Sequence, residues 1–73
     1  MQTVKLQTNI FFVESRPTTQ EDNHAGILDR WDVYLSKDDK TSKVGNMVKY
    51  EHSYAIFMNM LRFDFYNNAV SFK

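Results

Sequence analysis

The stretch Ser53 to Lys73, SYAIFMNMLRFDFYNNAVSFK, carries the apolar pattern on which the fold turns. Tyr54, Phe57, Met58, Leu61 and Phe65 recur at i, i+3, i+4, i+7 and i+11, the spacing of one helical face. Ser53 stands where a hydroxyl would accept from the first free amides of a helix, and Asn67 and Asn68 tolerate the left-handed conformation that ends one. Ile56, Met60 and Phe63 widen the stripe, so such a helix packs on a sheet instead of lying at the surface. Ala69 to Phe72 then reads as a short last strand. The same residues also alternate: Leu61, Phe63 and Phe65 would form a strand that turns at Asn67 and Asn68 into Val70 and Phe72. The longer helical stripe is the preferred reading.

Working outward, strand signals precede this segment. Between Thr3 and Val13, residues Val4, Leu6, Ile10 and Phe12 share one parity while Lys5, Gln7 and Asn9 take the other, as a strand with one buried face requires. Leu28 to Ser36 repeats the pattern, with Trp31, Val33 and Leu35 on one side, Asp32 and Tyr34 on the other, and Trp31 as core anchor. The polar run Lys37 to Ser42 predicts a hairpin into a third strand holding Val44, Val48 and Tyr50, with Gly45 at a bulge. Glu14 to Gly26 has no periodicity and contains Pro17, so it reads as a long connecting loop and a candidate contact surface. No helical crossover is visible before the last segment, which favours antiparallel pairing. The expected fold is therefore α+β: one domain, residues 1–73, with a small antiparallel sheet of three to four strands and one helix from the C-terminal half packed on it.

Composition narrows the function. A core built from 73 residues supplies roughly 3 to 5 kcal/mol, and small proteins of this size add disulfides, a metal or a partner. Cysteine is absent, and His24 and His52 are the only strong nitrogen ligands, leaving a partner or a second copy as the remaining aid. Nine basic residues balance nine acidic ones, so no net charge draws the chain to nucleic acid or to an anionic bilayer. The longest apolar run, Tyr54 to Met58, is far short of the roughly 20 residues of a membrane helix, and no basic-then-apolar leader opens the sequence. These features predict a soluble, cytoplasmic protein.

No reacting constellation is present. His24 among Glu21, Asp22 and Asn23, and His52 beside Glu51, match no ligand or catalytic spacing. Asp29, Asp32, Asp38 and Asp39 lack the central glycine and terminal glutamate of a calcium loop, and lysines flank the last pair. Gly26 and Gly45 are the only glycines, too few for a phosphate-binding loop or a nucleophile elbow. We therefore assign no catalytic residue, no metal and no cofactor.

The aromatics are the better lead, since six Phe, four Tyr and one Trp exceed what a minimal core encloses. Phe11, Tyr34 and Met47 fall on parities opposite the buried sets of their strands and would gather into an exposed patch on the outer sheet face. With Glu21, Asp22 and Asp32 for charge complementarity, they form the expected protein-binding surface. The expected function is a non-enzymatic module that masks a surface of a larger protein or complex. Small inhibitors that phages and mobile elements direct against host enzymes share this profile of size and style, so a viral protein is one expectation. The alternatives are a single-stranded nucleic-acid binder that stacks bases on the sheet aromatics, and a self-associating structural subunit such as a homodimer.

Overall fold

Where the helix was expected, the chain reverses direction. Asn59 and Met60 both take positive φ, 53° and 62°, in the computed structural model, which describes residues 1–73. That pair is the two-residue hairpin turn whose backbone twist matches right-handed strands. It joins β5 (Ser53–Met58) to β6 (Leu61–Tyr66) in continuous antiparallel register from Met58 opposite Leu61 to Ser53 opposite Tyr66. The expected α+β architecture is thus corrected to an almost all-β one. Ten of the thirteen residues from Tyr54 to Tyr66 are apolar or aromatic, so helical spacing and alternation coexist there. Rows of Tyr, Phe and Ile favour the pleated surface, and the asparagine turn decides between the two.

Five further strands complete a single sheet: β1 (Gln2–Leu6), β2 (Asn9–Arg16), β3 (Asp29–Tyr34), β4 (Lys43–Lys49) and β7 (Val70–Phe72). The order is β6-β5-β4-β3-β2-β1-β7, every pairing is antiparallel, and the sheet curls into a half-barrel. The only α-helix is α1 (Gln20–His24), and 3-10 turns occupy Lys40–Ser42 and Asn67–Ala69. The supposed first strand is really the β1–β2 hairpin, with Gln7 at φ 58° in its turn. That reversal flips the parity. Val4 and Leu6 stay inside, but Phe11 and Val13 replace Ile10 and Phe12 on the inner face, and Ile10 ends exposed. The bulge expected near Gly45 is present as a register shift that leaves Val44 unpaired between Gly45 and Lys43. Gly45 itself permits close approach of β5, since a Cβ there would stand 1.9 Å from the Phe57 carbonyl oxygen.

The curl is held from within. Val4, Leu6, Val13, Trp31, Val33, Met47 and Ile56 form the main core. At one end Trp31 of β3, Tyr54 of β5 and Phe72 of β7 form a triangle of rings with centroids 5.4 to 6.0 Å apart, so the last strand reaches across the interior to the middle of the sheet. The main-chain bond from the Gln7 amide to the Ala69 carbonyl and the pairing of Leu6 with Val70 fix β7 beside β1. A second, smaller core lies on the outer face, where Ile27 covers Val48 and Ala55 with Tyr50 and Phe57 beside them.

Candidate functional site

The residues expected to form one binding patch are dispersed by the curl. Met47 is 0 % exposed and faces the interior opposite Trp31 and Ile56. Tyr34 is on the outer face beside Phe12 but only 2 % exposed. Phe11 faces inward and lines a cleft described below. The three therefore share no exposed face, because the β1–β2 turn and the bulge at Val44 each reverse an assignment of sides.

The expected acidic contacts are mostly engaged within the chain. The stretch read as a loop is ordered by a capping box: the Asp22 amide donates to Thr19 Oγ1 at 3.1 Å and the Thr19 amide to Asp22 Oδ2 at 2.9 Å. Arg30 on β3 then grips the Asp22 carboxylate with two donors, at 2.6 and 3.0 Å. Arg30 and the Thr19 amide hold the Asp22 carboxyl down at about 2. This pair pins α1 over the outer face, where it brings Ile27 onto the small core. Burial opposes ionisation of Asp32, but Arg16 and Lys43 outweigh it and lower its pKa. Lys40 reaches from the β3–β4 connection across β3 to Glu14 on β2 and lowers the Glu14 pKa. Glu21 is exposed in the first turn of α1, as acidic residues at a helix start favour. His24 ends α1, and His52 is exposed 3.7 Å from Glu51. No three His, Asp or Glu side chains converge as a metal site.

A different surface stands out at β6. One long edge of this strand pairs with β5 and the other pairs with nothing. The opposite sheet edge, β7, is only three residues long, a common way to blunt an edge, whereas β6 runs six residues without proline or bulge. Of the eight large apolar side chains exposed on the molecule, Met60, Leu61, Phe63 and Tyr66 lie on this strand and its turn. Both surface depressions border it. A cleft of about 160 Å³ lies between Leu6, Asn9 and Phe11 on one side and Ile56, Met58, Phe63 and Phe65 on the other, and a groove of about 310 Å³ runs past Ser53, Asp64, Phe65 and Tyr66. The cleft matches the roughly 150 Å³ that accommodates a benzene ring. On the outer side of β6, Arg62 donates to Asp64 at 3.0 Å and rests 5.6 Å from the Tyr50 and Phe57 ring centres.

Met60 is the sharpest anomaly. It is fully exposed and has positive φ, a conformation that costs a non-glycine residue about 1 to 2 kcal/mol. Glycine would suit the position better on both counts. The helical spacing of the sequence places Met60, Leu61 and Phe63 on a buried face instead. The available signal was the rival alternation of Leu61, Phe63 and Phe65 ahead of the Asn67–Asn68 turn.

Among protein families, curated proteins and solved structures, none matches this chain, and none therefore bears on a viral source. No helix is long and apolar enough to cross a membrane.

Proposed function

We propose that this chain is a non-enzymatic protein-binding module that acts by occupying a partner's surface, with the β5–β6 hairpin and its cleft as contact region. The observation that carries this reading is the concentration of exposed apolar side chains on an open sheet edge, headed by Met60 in an unfavourable backbone conformation. Local strain and exposed apolar surface both cost stability, and such outliers cluster where a protein makes functional contacts. The cleft has room for one side chain of a partner. Arg16, Arg30, Lys40 and Lys43 are engaged by carboxylates of the same chain, which draws four of the nine cations away from a phosphate backbone.

Capture from nuclease-treated lysate with wild type and with a Met60→Ser/Phe63→Ser variant tests the reading. The expectation is equimolar capture of one protein by wild type, reproduced with purified components and lost in the folded variant. Capture that survives in the variant, or that requires nucleic acid, would overturn it.

A further inference from the structure

We infer that the occupant of the open β6 edge is a second copy of this chain, paired antiparallel through β6 about a two-fold axis centred on Phe63. This deepens the protein-binding reading and rests on it. Both the backbone and the side chains select that register.

The two-residue turn makes Met58 and Leu61 a hydrogen-bonded pair, and antiparallel pairs alternate. The Tyr50 amide bonded to the Ser53 carbonyl at 2.8 Å fixes the same phase on the far side of β5. Leu61, Phe63 and Phe65 thus direct their backbone groups to β5, while Arg62, Asp64 and Tyr66 turn theirs to the open edge. A second β6 can complete these bonds only if even-numbered residues face even-numbered ones. Centring the axis on Arg62 would set arginine against arginine, and centring it on Asp64 would set aspartate against aspartate.

Centring on Phe63 places each Arg62 opposite Asp64 of the second copy, twice, on the outer face. On the inner face it sets Leu61 against Phe65 and Phe63 against Phe63. It also brings exposed Met60 toward exposed Tyr66 of the second copy. The strand is thus self-complementary in charge, in apolarity and in hydrogen-bonding phase, as an isologous interface demands. Arg62 and Asp64 already pair within one copy with half-exposed side chains, so both are poised to exchange partners. Continuous pairing would bring the two clefts side by side on one concave face.

Sedimentation and light scattering across the micromolar range test this on the full chain. Wild type should show a mass twice 8.7 kDa. Arg62→Asp and Asp64→Arg should each be folded monomers, since each sets like charges opposite one another. Mixed, the two variants should recover the dimer, because every pair across the axis is again opposite in sign. Arg62→Glu with Asp64→Lys provides a second pair if one variant misfolds. In this cysteine-free chain Phe63→Cys should also form a covalent dimer under oxidised glutathione, since facing residues of a non-hydrogen-bonded pair stand about 4.5 Å apart at Cα. Ser71→Cys, on β7, should not.

A monomeric wild type, single variants that dimerise like wild type, or a mixture that stays monomeric would each overturn the inference. If wild type is monomeric yet still captures a partner through Met60 and Phe63, the dimer fails and the binding reading stands. If it dimerises but captures no other protein, the second copy is the sole occupant of the edge: protein binding through β6 stands and the separate partner fails.

Discussion

Replacing Phe72 by alanine tests whether the last three residues hold the curl. Phe72 is half-buried, packs at 5.4 Å against Trp31 and 6.0 Å against Tyr54, and pairs with Val4. Removing roughly 100 Å² of ring contact costs about 2.5 kcal/mol at about 25 cal/mol per Å². The two tilted ring pairs add about 1 to 3 kcal/mol. Partial relaxation of β7 offsets some of this, which brings the expected loss to about 3 to 4 kcal/mol. A core of this size supplies only about 3 to 5 kcal/mol in total. The variant should therefore sit near its unfolding midpoint without denaturant. Trp31 is the only tryptophan and lies in the triangle, so its emission during urea titration reports the event directly. Ile10→Ala, at an exposed side chain away from β6, serves as comparison and should cost far less. A Phe72→Ala protein that loses under about 1 kcal/mol, with native Trp31 emission unchanged, would refute the holding of the curl by β7.

Other outcomes follow from the same geometry. Gly45→Ala should destabilise by about 1 to 3 kcal/mol, because its Cβ collides with the Phe57 carbonyl and β4 must move off β5; an unchanged melting temperature would sink the close-approach account. Met60→Gly should stabilise by about 0.5 to 1 kcal/mol, since an Asn-Gly pair suits a turn with two positive φ values, while weakening self-association; a lower melting temperature would remove the strain argument. The pKa of Asp22 is depressed to about 2 from its usual 3.8, so its stabilising contribution is complete above about pH 4 and is lost as pH falls toward 2. Asp22→Asn should therefore flatten the pH dependence of the urea midpoint in that window, and an unaltered slope would show that Arg30 does not engage this carboxylate.

Several elements were legible in the sequence because their signals are local. Trp31 and Val33 sit on the inner parity as expected, the Lys37–Ser42 run is a hairpin connection, and a bulge adjoins Gly45. The misreadings arose where one residue decides a side. Gln7 turns what looked like one strand into two, so Ile10 and Phe11 exchange faces. Unpaired Val44 does the same for Met47 and Val48. Asn59 converts a helical stripe into a hairpin, because a segment this dense in apolar residues satisfies both periods at once. The capping box of Thr19 and Asp22 lies within the aperiodic stretch Glu14 to Gly26. Its acidic first turn was visible, but Arg30, eight residues on, makes the helix worth forming.

The candidate site was the least legible part. Phe63 and Leu61 look like core residues by composition, and a strand's own sequence does not state whether it has one neighbour or two. The sequence alone determined a cysteine-free chain of balanced charge with alternating apolar residues, and the polar connection at Lys37–Ser42. Tertiary structure alone decided that β7, at the far end of the chain, pairs with β1 instead of with β6. That choice curls the sheet, buries Met47 and leaves the β6 edge open. Its physical basis is non-local: the ring triangle of Trp31, Tyr54 and Phe72 draws strands distant in sequence together, whereas alternation defines only the two sides of each strand separately.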